Sequence, residues 1–197
     1  MSLNLIAKEN LKTKLSNLKL DFIHFETIDS TNEEAKRRAY QEKNFEGVIV
    51  SDTQTHGKGR KGHKWYSATE NGLYYTLALK PKKFDFQNLY FVTQSIAQIA
   101  INVIENIALE QVDLEWPNDL ILANKKVGGI LLETILTPFA TLPKNLIIGI
   151  GLNLNQTNFP EDLRHVAISL FQKTGQKYNK EIFIDQLTLQ LIKFFKF

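Results

Sequence analysis

The sequence predicts an α+β fold around a mostly antiparallel or mixed sheet, on three observations. Apolar runs between Val112 and Leu136 are separated by tight turns, which join antiparallel strands and not parallel ones. Two segments, 88–108 and from about 179 onward, have apolar residues at spacings of three and four, the period of a helix. Strands and helices do not alternate regularly, so a parallel βαβ sheet is not indicated. With 197 residues, 43% of them apolar, the chain suffices for one core, and 1–197 reads as a single domain.

Taken in order, Asp21 to Phe25 alternates and reads as a first strand. Ser30-Thr31-Asn32-Glu33 has the form of a capping box, with Ser30 or Thr31 as N-cap and Glu33 or Glu34 reaching back; the helix it opens runs to about Glu42. Gly47 to Ser51 is a short buried strand, Thr53 to Lys64 a polar loop with glycines, and Gly72 to Leu79 another strand. Leu89, Val92, Ile96, Ile99, Val103 and Ile107 define a helix over Asn88 to Ala108. Val112 to Trp116, Leu120 to Leu122 and Val127 to Leu136 are strands, with turns at Pro117-Asn118-Asp119 and Asn124-Lys125. Leu146 to Leu152 is a buried strand, and Ile182, Ile184, Leu187, Leu191 and Phe194 mark a C-terminal helix starting near Asn179.

Composition excludes several chemistries. The absence of Cys removes disulfides and thiolate chemistry, and four scattered His lack the spacing of a zinc site. Met1 to Leu20 intersperses four lysines among apolar residues, unlike a signal peptide, and no run reaches the ~20 apolar residues of a membrane span. A cytoplasmic protein with no membrane partner is expected. The net charge of +3 has a local origin: without Lys58, Arg60, Lys61 and Lys64 the chain would carry one net negative charge. One cationic loop suits a small anion better than a nucleic acid groove, so no DNA partner is expected.

That loop, Gly57-Lys58-Gly59-Arg60-Lys61-Gly62, satisfies G-x-G-x-x-G in form only. Polar residues separate it from the strand before it, and His63-Lys64-Trp65-Tyr66 is a poor helix start, so a dinucleotide fold is not indicated. Its glycines allow backbone N–H groups close to an anion, and Trp65 adds an aromatic plate; the plain alternative is a solvated hairpin tip. Trp116-Pro117-Asn118-Asp119-Leu120 reads equally as ordinary turn chemistry. Lys126-Val127-Gly128-Gly129 and Gly149-Ile150-Gly151-Leu152-Asn153 place glycines inside strands, where they weaken packing and mark close approach by a ligand or another backbone. Combined, these segments describe an apolar slot with an anion-handling mouth.

In that order and spacing the segments, with Asp29-Ser30-Thr31-Asn32, Gln54 through Gly62 and Lys64-Trp65, resemble the biotin protein ligases over about residues 21 to 171. The resemblance implies a mixed, largely antiparallel sheet flanked by helices, like the catalytic fold of class II aminoacyl-tRNA synthetases. It implies ATP-dependent formation of biotinyl-5′-AMP and transfer of biotin to a lysine of a biotin carrier protein such as the acetyl-CoA carboxylase subunit. Biotin and ATP are then substrates, Mg²⁺ a cofactor, and a homodimer is compatible. Biotin would be held by Ser30, Thr31, Asn32, Gln54, Gly57, Lys58, Gly59, Arg60, Lys126, Gly128 and Gly129. ATP and the adenylate would be held by Lys58, Arg60, Lys61, Trp65, Asn118, Lys126 and Asn153. Arg60, Lys126 and Asp119 would be catalytic, with Asp119 positioning Mg²⁺ or the incoming lysine.

Three departures stand out. Lys58 replaces the first Arg of the family's usual G-R-G-R, keeping the charge but not the planar fork. Glu115 stands where Lys is common. Only about 28 residues precede the DSTN motif, too few for an N-terminal helix-turn-helix domain, and the sequence ends at Lys196-Phe197 within or just after the last helix, so the C-terminal β-barrel is expected to be absent or trimmed. A lipoate or octanoate ligase or transferase of the same superfamily is the nearest rival; it would not need the polar Ser30, Thr31, Asn32 and Gln54. A nucleic-acid-binding module and an inactive scaffold are more distant ones.

Overall fold

The structure, a computed structural model, describes residues 3, 5–81, 89–138 and 143–196. Seven strands form one sheet in the order β1-β2-β3-β7-β6-β5-β4. They are β1 (Asp21–Ile28), β2 (Gly47–Gln54), β3 (Leu73–Leu79), β4 (Asp113–Glu115), β5 (Asp119–Leu122), β6 (Lys125–Ile135) and β7 (Asn145–Leu152). The β1–β2 pair is parallel and every other pair antiparallel, the mixed sheet expected from sequence. The helices are α1 (Leu5–Asn17), α2 (Thr31–Gln41), α3 (Leu89–Ala108), α4 (Leu170–Thr174) and α5 (Lys180–Lys196). None of the described helices is long and apolar enough to cross a membrane.

Period-two alternation along the central strands divides the interior. Val48 and Val50, Leu77 and Leu79, and Leu146, Ile148 and Ile150 face one side, where they join α1, α3 and α5 in the larger core. Ile49, Ala78, Ile135 and Ile147 face the other, where they meet Ala35 and Ala39 of α2 and Phe45. Among the described helices, α2 alone covers this face of the sheet, with Phe45 beside it. Behind the larger core, Lys180 opens α5 with its ammonium buried 3.7 Å from Asp52 Oδ1 of β2. Burial holds that lysine below its ordinary pKa despite the carboxylate beside it.

Several elements differ from expectation for identifiable reasons. Strands β1 and β2 run past Phe25 and Ser51 because their parallel pairing continues to Ile28 and Gln54, satisfying backbone groups whatever the polarity of the side chains. The hairpin after β5 turns at Ala123 and Asn124, both at positive φ (49° and 62°), one residue earlier than expected. The expected start of α3 at Asn88 lies outside the described residues. Helix α1 has no counterpart in the sequence reading: Ala7, Leu11 and Leu15 make its buried stripe, but exposed Leu5 and Ile6 and the lysines blur the periodicity.

The expected capping box does not form. Ser30 is the N-cap by backbone conformation, but its side chain makes no capping bond. Glu33 pairs with Lys36 and Lys58, and Glu34 with Arg37 and Arg38. Charge-assisted bonds to nearby cations outcompete a neutral bond to the cap. The N–H of Thr31 is satisfied from outside the helix by Gln54 Oε1 at 2.8 Å, and that of Ser30 by Asp29 Oδ1 at 2.7 Å.

Leu15, 1% exposed, tests how much α1 contributes. Leu15→Ala is expected to cost about 2–5 kcal/mol, read as a lower urea midpoint at unchanged m-value.

Candidate active site

Beyond the end of α2 its face of the sheet loses side-chain bulk. Ile147 is followed two residues on by Gly149 and then Gly151; the neighbours in register are Thr76 and Tyr74 of β3 and Leu131 and Gly129 of β6. The gap is a cavity of about 250 Å³ between the sheet, the N-terminus of α2 and the cationic loop. The glycines are required by what lies opposite. A Cβ on Gly149 would sit 2.3 Å from Asn32 Oδ1, and one on Gly151 2.5 Å from the Trp65 ring.

The closed end is polar and internally bonded. Thr76 Oγ1 lies 2.8 Å from Thr31 Oγ1 and 2.6 Å from Asn32 Oδ1 and donates its one proton between them. Asn32 Nδ2 donates to Glu133 Oε2 at 2.9 Å, fixing which way the amide faces. Gln54 Oε1 accepts from both the N–H and, at 3.1 Å, the hydroxyl of Thr31. Its Nε2 donates to Ser67 Oγ at 3.2 Å, leaving one N–H to spare. Below the helix start, Arg37 grips Asp29 with two bonds of 2.8 Å, and this hydrogen bonding holds the Asp29 carboxyl down at about 2.

The mouth is cationic and cross-linked. Arg60 Nη1 donates to Asn118 Oδ1 at 2.9 Å; Asn118 Nδ2 donates to Asp119 Oδ1 at 3.0 Å and to the Ile130 carbonyl at 3.1 Å. Asp119 Oδ2 pairs with Lys126 Nζ at 2.6 Å, and that ammonium lies 5.5 Å from the centre of a Trp65 ring. One chain of contacts thus links Arg60 on the loop to Lys126 on β6. A second hollow of about 370 Å³ adjoins it and shares Lys64, Trp65 and Lys126 with the first.

Most residues expected at the site converge on the first cavity: Ser30, Thr31, Asn32, Gln54, Lys58, Gly59, Arg60, Lys61, Trp65, Asn118, Asp119, Lys126 and Gly129 line it. Gly57, Gly128 and Asn153 do not. Gly57 packs under the loop, where a Cβ would lie 2.3 Å from Ser67 Oγ, and Gly128 faces the other side of β6 against Leu152 and Leu120. Asn153 lines the second hollow, its Nδ2 donating to the Lys126 carbonyl at 3.3 Å. The Gly59 N–H, expected to face an anion, donates instead to His63 O at 2.7 Å and closes the loop on itself.

Sequence reasoning missed Tyr74, Thr76 and Glu133, which look like ordinary strand residues until register sets Tyr74 beside Gly151 and brings Thr76 and Glu133 to Asn32. It also missed Phe159, Leu163, Val166 and Ala167, the apolar side of the second hollow. Their one signal was apolar residues recurring inside a run rich in turn formers.

Two structural predictions follow from this geometry. In a Trp116→Phe background, Gly151→Ala should expel Trp65 from its seat, seen as a change in its fluorescence maximum with the fold retained by circular dichroism. The Asp29–Arg37 pair, each side chain more than two-fifths exposed, should contribute about 1 kcal/mol at neutral pH. A depressed carboxylate stabilises above its unfolded pKa, so the urea-measured gap between wild type and Arg37→Met should hold from pH 7 to 5 and shrink from pH 4 towards 2.

Residues 24–153 match the Biotin/lipoate A/B protein ligase family. The chain is 33% identical over 181 residues to the bifunctional ligase/repressor BirA of Bacillus subtilis, covering 91% of this chain and 54% of that protein. It is 26% identical over 145 residues to the biotin–[acetyl-CoA-carboxylase] ligase of Mycobacterium tuberculosis, covering 72% and 51%. The chain spans about half the length of these curated relatives. Among solved structures, the biotin protein ligase of Aquifex aeolicus in complex with biotin and ATP superposes with a TM-score of 0.72 at 32% identity, covering 89% of this chain and 72% of that one. By sequence and by fold, the chain belongs to the biotin/lipoate A/B protein ligase family.

Proposed function

We propose that the chain is the catalytic domain of a biotin protein ligase, joining biotin to ATP as biotinyl-5′-AMP and passing the biotinyl group to a lysine of a biotin carrier protein such as the acetyl-CoA carboxylase subunit. The same reading places the enzyme in the cytoplasm, beside ATP and its carrier. One observation carries it: a single cavity with a neutral, hydrogen-bonding closed end and a cationic mouth. Biotin has that polarity, a cyclic urea at one end and a carboxylate at the other. The spare N–H of Gln54 suits the urea carbonyl, and a remaining lone pair on Thr31 Oγ1 suits a urea N–H. An octanoyl or lipoyl tail would bury those groups against hydrocarbon, at about 1–3 kcal/mol for each one left unpaired.

In the first step a biotin carboxylate oxygen attacks the α-phosphorus of ATP, and pyrophosphate leaves. Arg60 and Lys126, linked through Asn118 and Asp119, would stabilise the negative charge that builds on the phosphoryl oxygens. Trp65, between the two hollows, would cover the adenylate, with the purine in the hollow that Asn153 lines. In the second step the carrier amine attacks the acyl carbon of the mixed anhydride, AMP leaves, and the amine loses its proton. Among the described residues Asp119 is the one carboxylate lining the cavity, and it is already paired with Lys126. No three His, Cys, Asp or Glu residues converge among the described residues. These donors do not build a metal cage, so Mg²⁺ is expected to arrive on the ATP phosphates.

Biotin-dependent ATP–pyrophosphate exchange tests the reading. Exchange is expected with biotin and not with octanoate, and Arg60→Ala should lower it about 10²–10³-fold. Exchange supported by octanoate alone would move the chain to the lipoate branch.

A further inference from the structure

Building on the biotin-ligase reading, we infer that Lys58 is a tether and not a phosphate ligand: its partner Glu33 on α2 is the positioning residue that holds the cationic loop over the cavity. Lys58 Nζ lies 2.7 Å from Glu33 Oε1, and the same oxygen takes Lys36 Nζ at 2.5 Å. Lys36 reaches on to Glu133 Oε1 at 2.9 Å, and the other oxygen of Glu133 receives Asn32 Nδ2 at 2.9 Å. Five side chains thus run in contact from the floor of the cavity, at Asn32, to the loop that roofs it.

The charges along this chain explain the assignment. Glu133, Lys36, Glu33 and Lys58 sum to zero, so the Lys58 ammonium is neutralised where it stands. Among the described residues Arg60, by contrast, is held only by the neutral amide of Asn118 and keeps its full charge for an anion. Burial alone would raise the Glu33 carboxyl, but Lys36 and Lys58 take it below its ordinary range, so it is ionised at neutral pH. Glu33 also lies in the first turn of α2, where a negative charge is favoured by the helix dipole. A lysine suffices for a single point contact of this kind, whereas a bidentate phosphate contact would call for arginine.

The strength of the tether follows from its exposure. Lys58 is 48% and Glu33 27% exposed, so the pair should bias the loop only two- to fivefold, which at 1.4 kcal/mol per factor of ten is about 0.4–1 kcal/mol. So weak a latch still lets the loop open for substrates and products.

Limited trypsinolysis of the full chain, following cleavage after Lys61 by mass spectrometry, reads the loop directly and needs no turnover. Glu33→Gln and Lys58→Ala should each speed that cleavage two- to fivefold in low salt, the double variant no further, and 0.5 M NaCl should erase the differences. Lys58→Arg should cleave at the wild-type rate. In the exchange assay, Glu33→Gln should raise the KM for ATP two- to fivefold and leave kcat within twofold. Additive effects of the two substitutions on cleavage would overturn the tether. So would a tenfold or larger rise in the KM for ATP in Lys58→Ala with cleavage unchanged, which would make Lys58 a phosphate ligand. If octanoate replaced biotin in exchange while the cleavage pattern held, the substrate assignment would fall and the tether would stand. Should Glu33→Gln unfold by releasing Lys36 as well, Lys58→Ala in the exposed loop carries the test.

Discussion

The site depends on one constraint: a strand sends alternate residues to opposite faces, and on β7 the face towards α2 changes from isoleucine to glycine partway along. Ile147 fills the space beneath α2, while Gly149 and Gly151 let Asn32 and the Trp65 ring lie close against the strand where the helix begins, with the cavity beside them. The opposite face of the same strand, Ile148, Ile150 and Leu152, packs without interruption into the larger core. The cavity therefore does not interrupt the packing that stabilises the fold. Any β-carbon on those glycines would strike Asn32 or Trp65, so the hollow and the residues around it determine each other.

Around that hollow, polar groups are arranged by what they are bonded to behind the surface. Glu133 orients the Asn32 amide, Asn32 and Thr31 share the proton of Thr76, and Gln54 caps the helix while keeping one donor free. At the other end Asn118 and Asp119 join the loop arginine to the strand lysine. The floor rests on sheet and helix, whereas the roof is a loop with its own short hairpin bonds, such as Gly59 to His63.

The fold class, the central strands and most of the site were legible in the sequence because they rest on local signals: alternation, helical spacing, and glycines where glycine is otherwise disfavoured. Asn118, Asp119 and Lys126 could be singled out from their turn and strand settings. What escaped was set by register. Thr76 and Glu133 become site residues only because β3 and β6 flank Gly149 and Ile147 of β7, pairings that no local pattern encodes. The capping box failed for a related reason: the motif was right, but Glu33 and Glu34 had nearer cations to bind. Helix α1 escaped because a stripe of one small and two larger apolar residues is too sparse to stand out.

Trp65 and Lys126 form a common wall between the two hollows, of about 250 and 370 Å³. A ligand confined to either side meets that wall from one direction only. A single molecule spanning both would gain the contacts of each while losing its rotational and translational freedom once. For inhibitor design, the productive variable is then the length and stiffness of the linker passing the indole, more than the affinity of either end.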